Sequence, residues 1–128
     1  MLSVAIITHN EEDNIRGALE SVKWADEIVV VDSGSTDRTQ EICREYTDKI
    51  YSSEWQGFSE QKNRAVSFTT QPWILVLDAD ERITEELKKE ILNVVKNADP
   101  STSPLTQEKR TGVEGYYLPR KNYLVRGG

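Results

Sequence analysis

The sequence predicts an α/β protein built on an open, mostly parallel sheet with helices on both faces. Residues 2–7, 27–32 and 73–77 are short apolar runs rich in Val and Ile, the pattern of strands buried on both faces. Segments of helical period separate them, and strands alternating with helices imply parallel pairing through right-handed crossovers. Polar and acidic groups gather after three strands, at residues 8–11, 32–37 and 78–81. In such a sheet, ligands bind at the carboxyl ends of the strands.

The first strand covers residues 2–7. Asn10 then reads as a helix N-cap with Asp13 at N3, ahead of Ile15, Ala18, Leu19 and Val22 at helical spacing. On local grounds, capping is the favoured explanation for Asn10 and Glu11. A second strand over 27–32 ends in Asp32, and Ser33-Gly34-Ser35-Thr36-Asp37 leads into a helix carrying Ile42, Cys43 and Tyr46. Gly34 and its serines let backbone amides approach a phosphate or base, or form an ordinary turn. Residues 49–51 are a short third strand. Residues 57–69 are helical, with Phe58, Gln61, Ala65 and Phe68 on one stripe and Lys62 and Arg64 off it. Trp55, Phe58 and Trp73 read as core or packing residues.

After the fourth strand, Thr84 caps a helix bearing Leu87, Ile91, Leu92, Val94 and Val95. Residues 97–114, with Pro100 and Pro104, read as a mobile loop. Residues 115–120 resemble a further strand, and 121–128 show no closing element. The organisation expected is a ligand-binding α/β domain over 1–96, the loop, and an incomplete region over 115–128. An incomplete edge after residue 123 favours self-association, so a homo-oligomer is expected.

At 128 residues the chain is one domain, short for an enzyme with two substrate-binding subdomains. Charged residues at 30% and hydrophobic residues at 37% fit a globular protein rather than a disordered one. A net charge of −6 argues against a nucleic-acid partner and requires local cations or a metal to hold an anionic ligand. The single cysteine, Cys43, reads as a core residue. With no signal peptide and no apolar run of membrane-spanning length expected, the predicted location is cytoplasmic, peripheral at the inner membrane if membrane-associated.

Chemistry concentrates in Asp78-Ala79-Asp80-Glu81. Side chains alternate along a strand, so Asp78 and Asp80 leave its end pointing the same way. Two carboxylates there suit a hard divalent cation, and Mg²⁺ is typically held by one or two carboxylates plus substrate phosphates. Capping or a solvated turn explains Asp-x-Asp alone as well. Convergence of three strand ends on polar groups favours the ligand site. The GxGxxG and Walker A patterns are absent.

Together these residues resemble a known family. Thr8-His9-Asn10-Glu11-Glu12, Val30-Val31-Asp32-Ser33-Gly34-Ser35-Thr36-Asp37 and Leu77-Asp78-Ala79-Asp80-Glu81 resemble the amino-terminal half of family 2 inverting glycosyltransferases of the Rossmann-like GT-A fold. Glu54-Trp55-Gln56-Gly57-Phe58, Gln61-Lys62-Asn63-Arg64-Ala65 and the segment 115–123 are similar to the bacterial branch that builds lipopolysaccharide core. The resemblance implies a UDP-sugar donor, Mg²⁺ or Mn²⁺, and a lipopolysaccharide core or other glycan acceptor. It places Thr8, Asn10 and Glu11 at the nucleoside, Asp32 on the base, and Lys62 and Arg64 near the nucleotide. Asp78 faces the ribose or the metal, and Asp80 coordinates the metal. An inverting enzyme also needs a carboxylate base. The family carries it in the acceptor half, and neither Glu108 nor Glu114 matches its motif, so donor binding without the base is the expectation.

Other classes fit less well. A receiver-type phosphoacceptor domain requires acidic residues directly after the first strand and a lone later aspartate. A haloacid-dehalogenase-like phosphatase carries its Asp-x-Asp after the first strand, not the fourth. A sugar-phosphate nucleotidyltransferase opens with a Gly-rich, Arg-containing loop that is missing here. A non-catalytic α/β binding domain with a degenerate site is the remaining alternative.

Overall fold

The computed structural model describes residues 2–97, 106–110, 113–117 and 123–126. Four βα units come first: β1 (Leu2–Thr8), α1 (Ile15–Val22), β2 (Glu27–Asp32), α2 (Thr39–Cys43), β3 (Ile50–Ser52), α3 (Phe58–Ser67), β4 (Trp73–Asp78) and α4 (Glu85–Asn97). Three strands follow, β5 (Thr106–Arg110), β6 (Val113–Tyr117) and β7 (Tyr123–Arg126). All join one sheet in the order β3-β2-β1-β4-β7-β6-β5. β3, β2, β1 and β4 pair in parallel, and β7, β6 and β5 continue the sheet antiparallel.

Strand alternation sorts the apolar side chains into two layers. Leu2, Val4 and Ile6 of β1, Ile28 and Val30 of β2, and Trp73, Leu75 and Leu77 of β4 pack against α1, α2 and α4. Ala5, Ile7, Val31, Ile74 and Val76 face the other way, onto Ala65 of α3. Both faces are therefore covered, which explains the uninterrupted apolar runs. Each fully buried Leu, Ile or Val contributes about 1.5–3 kcal/mol from removal of apolar surface. At the amino edge, Glu27 is buried and accepts hydrogen bonds from Ser3, Lys49 and Thr70.

Three expectations change. Asn10 does not cap α1, which starts at Ile15 with Asn14 at its N-cap. Asn10 takes a left-handed backbone (φ 50°) and its side-chain oxygen accepts from the Thr36 amide at 2.8 Å. The range 97–114, read as a loop, contains β5 and the start of β6. β5 lies at the sheet edge with the sequence Thr-Gln-Glu-Lys-Arg, and charged edge strands carry no apolar alternation to read. A closing element also exists where residues 121–128 showed none: Tyr123–Arg126 forms β7, which pairs with β4. The Thr84 cap forms as expected, its hydroxyl accepting from the Leu87 amide at 3.1 Å. Residues 118–120 of the strand expected over 115–120 lie outside the described residues, as do residues 98–105 of the expected loop.

Candidate functional site

The carboxyl ends of β1, β2 and β4 open into a cleft of about 780 Å³. Its floor is Ile7, Thr8 and Ala79, and one side carries Asp78 and Asp80. His9, Glu11 and Ser33 lie at the ends of β1 and β2, and Trp55, Phe58 and Lys62 form the wall on the α3 side. Carboxylate oxygens of Asp78, Asp80 and Glu81 lie within 4.8 Å of one another.

The turn bearing these carboxylates is fixed from several directions. Glu81 N–H donates to the Asp78 carbonyl at 3.0 Å. Ile83 N–H donates to Ser21 Oγ of α1 at 3.0 Å, and the Ile83 side chain is buried. The Arg82 guanidinium lies over Gly17 of α1, where a Cβ would sit 2.3 Å from Arg82 Nε. Glycine in a helix interior costs about 0.5–1 kcal/mol relative to alanine, and here it makes room for this crossing. Lys62 Nζ stands 3.8 Å from Asp78 Oδ1. That oxygen is buried with no hydrogen bond, as is Thr8 Oγ1. Hard oxygen donors converging at one turn, one of them without a hydrogen-bond donor, fit an Mg²⁺- or Mn²⁺-type cation.

Five of the sequence-predicted residues, Thr8, Glu11, Lys62, Asp78 and Asp80, line the cleft. Three do not. Asp32 is fully buried, and its carboxylate accepts from Gly34 N–H at 3.1 Å, Ser35 N–H at 2.8 Å, Gln40 Nε2 at 2.7 Å and the Ser35 hydroxyl. It shapes the β2–α2 loop. Asn10 bridges the β1–α1 and β2–α2 loops, with its own amide donating to Ser35 Oγ at 2.8 Å. Arg64 is exposed on α3 and outside the cleft lining.

The residue that faces the cleft in place of Asp32 is Ser33, for a reason of strand parity. Val31 points toward α3, so Asp32 points toward α1 and α2 and Ser33 returns to the α3 side. Ser33 is held by its amide to the Thr8 carbonyl at 3.0 Å and by Gln61 Nε2 donating to its hydroxyl at 2.8 Å. Its carbonyl meets His9 Nδ1 at 2.8 Å, and a carbonyl only accepts, so Nδ1 carries the proton. Trp55 and Phe58 also correct the expectation of packing residues. They are 51% and 64% exposed and meet edge to face with centroids 4.8 Å apart. Trp73 is buried as expected. Glu81 joins the carboxylate group beyond the two aspartates singled out from sequence. Cys43 is buried, and burial, with a smaller contribution from Asp32, raises its thiol to about 12, which leaves it inert at neutral pH.

Fold and site thus define an α/β protein with a cleft and a carboxylate group at the strand ends, suited to an anionic ligand and a divalent cation. A family model described as glycosyl transferase family 2 matches residues 3–126, and the chain belongs to that family. It is 32% identical over 132 residues to a Rhizobium meliloti protein named lipopolysaccharide core biosynthesis glycosyltransferase LpsC, covering 99% of this chain and 44% of that protein. An uncharacterised glycosyltransferase of Rickettsia typhi is 43% identical over 91 residues, covering 70% of this chain and 31% of that one. The chain thus spans about a third to under a half of the length of these curated relatives.

Solved structures agree. The S. aureus TarS complex with UDP-GlcNAc superposes with a TM-score of 0.61 at 29% identity, over 75% of this chain and 31% of that one. A Pyrobaculum calidifontis mannosyltransferase in complex with GDP-Man and Mn²⁺ gives 0.64 at 27% identity, over 85% and 35%. The expected GT-A-type α/β fold is the fold observed.

Proposed function

We propose that this chain binds the donor for a glycosyltransferase, a UDP-sugar, whose sugar passes with inversion to a lipopolysaccharide core or other glycan acceptor. The carrying observation is the grouping of the Asp78, Asp80 and Glu81 carboxylates within 4.8 Å of one another, at a cleft lined by Asp78, Asp80 and Thr8, whose buried hydroxyl has no hydrogen-bond partner. The TarS likeness, with its bound UDP-GlcNAc, supports the donor class, and the LpsC likeness supports the acceptor class.

In this reading Thr8 and Ser33 hold the nucleoside, and Glu11 lies at the same end. Asp80 and Asp78, with Glu81, would hold Mg²⁺ or Mn²⁺, which when bound supplies Lewis-acid stabilisation of the diphosphate leaving group. Lys62 places a positive charge beside the same carboxylates and moderates the repulsion between them and an incoming diphosphate. The exposed rings of Trp55 and Phe58 offer a stacking surface within the cleft. The base that takes the acceptor proton is not assigned to this chain; β5 and β6 carry Glu108 and Glu114. A cytoplasmic site of action at the inner membrane surface goes with a lipid-linked acceptor.

Calorimetric titration of UDP, first with Mn²⁺ and then with chelator, tests this in wild type and Asp80→Ala. The expected outcome is metal-dependent binding that falls at least about tenfold in Asp80→Ala, the loss of one charged ligand contact. UDP binding that ignores both metal and substitution would overturn the reading.

A further inference from the structure

We infer that Lys62 is a displaceable counter-charge that makes a divalent cation and a diphosphate bind this cleft as a pair. This rests on the donor reading above and deepens it by naming what couples its two ligands. Lys62 lies one turn along α3 from Phe58, and it is the one lysine or arginine among the described residues that line the cleft. Its Nζ stands 3.8 Å from Asp78 Oδ1, with the two side chains 20% and 23% exposed. The surface pair of Arg16 and Glu45 is about twice as open, at 48% and 51%, and closes to 2.8 Å. The Lys62–Asp78 pair is therefore shielded yet loose. Shielding strengthens the attraction of the two charges. A separation of 3.8 Å is too long for a hydrogen bond, and Asp78 Oδ1 is buried without one. Charge alone holds the ammonium there, so a stronger cation can take its place.

Asp78 belongs to the carboxylate group that a divalent cation would use, together with Asp80 and Glu81. A cation arriving there alone meets the like charge of Lys62 at close range in a shielded site, and that repulsion opposes it. A diphosphate removes the opposition, because its oxygens give the displaced ammonium new partners within the same cleft. The diphosphate gains as well, since Lys62 is then no longer neutralised by Asp78. Coupling of this kind is reciprocal: each ligand raises the affinity for the other by the same factor. Glu11 and Asp80 also line the cleft, and no second lysine or arginine there shares the role of Lys62. A lysine that only held Asp78 in place would act differently. Its loss would loosen the carboxylate group and weaken the cation with or without a diphosphate.

The test is calorimetric titration of the full chain with Mn²⁺ alone, and with UDP in the absence and presence of Mn²⁺. Wild type, Lys62→Met, Lys62→Arg and Lys89→Met are compared. Lys62→Met is expected to bind Mn²⁺ alone about tenfold more tightly, and the factor by which Mn²⁺ improves UDP binding falls by about the same amount, the worth of one charged contact. Lys62→Arg keeps the charge and stays near wild type. Lys89 is exposed on α4 and outside the cleft lining, so Lys89→Met removes an equal charge and leaves both quantities unchanged. If circular dichroism shows Lys62→Met unfolded, Lys62→Gln carries the test. A Lys62 variant that binds Mn²⁺ alone no more tightly than Lys89→Met overturns this inference alone. Wild type that binds neither Mn²⁺ nor UDP with Mn²⁺ overturns the donor reading and this inference with it.

Discussion

Asn10 is held in a conformation that few residues other than glycine adopt readily, and its side chain gives it the reason. The left-handed φ of 50° aims the amide oxygen at Thr36 N–H and the backbone amide at Ser35 Oγ, which locks two site loops together. Asn10→Ala is expected to cost about 1–2 kcal/mol, from the left-handed backbone and the lost hydrogen bond. Asn10→Gly should recover only the backbone share. Urea denaturation of the three proteins checks the order, and equal stability of Ala and Gly variants would contradict it. From sequence, Asn10 looked like a cap because an asparagine before a helical pattern satisfies the same rule whether it caps or bridges. The partner that decides, Thr36, is 26 residues away. The Asp32–Ser33 exchange was more accessible. Once Val31 is known to face α3, alternation alone sends Ser33 to the cleft and Asp32 behind it. Asp78 and Asp80 were legible because an apolar strand running straight into carboxylates leaves them little room but the strand end.

At the level of elements, the two ends of the parallel strands do different work. The amino ends of β1, β2 and β3 and the α3–β4 connection meet at Glu27. Burial pushes its carboxyl up, but hydrogen bonds from Lys49, Ser3 and Thr70 outweigh burial and hold it at about 2. An unfolded glutamate titrates near 4.3. The folded value lies below it, so the contribution to stability is full above the unfolded value and is lost as pH falls from about 4.5 toward 2, with a size of about 3 kcal/mol by linkage. Denaturation midpoints at pH 7 and pH 3 should therefore fall further for wild type than for Glu27→Gln. Parallel pH profiles for the two would contradict the assignment. Helices and strands of the βα half were readable because double-sided burial leaves apolar runs and helical stripes in the sequence. β5 was not, since its sequence, Thr-Gln-Glu-Lys-Arg, carries no apolar alternation. Phe58 misled for a related reason. It falls on the same helical stripe as buried Gln61 and Ala65, but it sits at the end of α3 that overhangs the cleft.

Across the whole molecule, one seven-stranded sheet joins a parallel half that carries the cleft to an antiparallel half entered through the β4–β7 pair. β4 therefore contributes to both halves: it pairs with β1 and β7 on its two sides, and it delivers Asp78 at its end. We propose that a cation and a nucleoside diphosphate meet at the carboxyl edge of the parallel half. Paramagnetic broadening of backbone amide resonances by substoichiometric Mn²⁺, with UDP present, locates that meeting point directly. Broadening is expected to centre on residues 78–81 and to reach Thr8 and Lys62, with Glu27 and Lys49 at the opposite edge unaffected. Broadening centred on the Glu27 edge, or none at all, would contradict it.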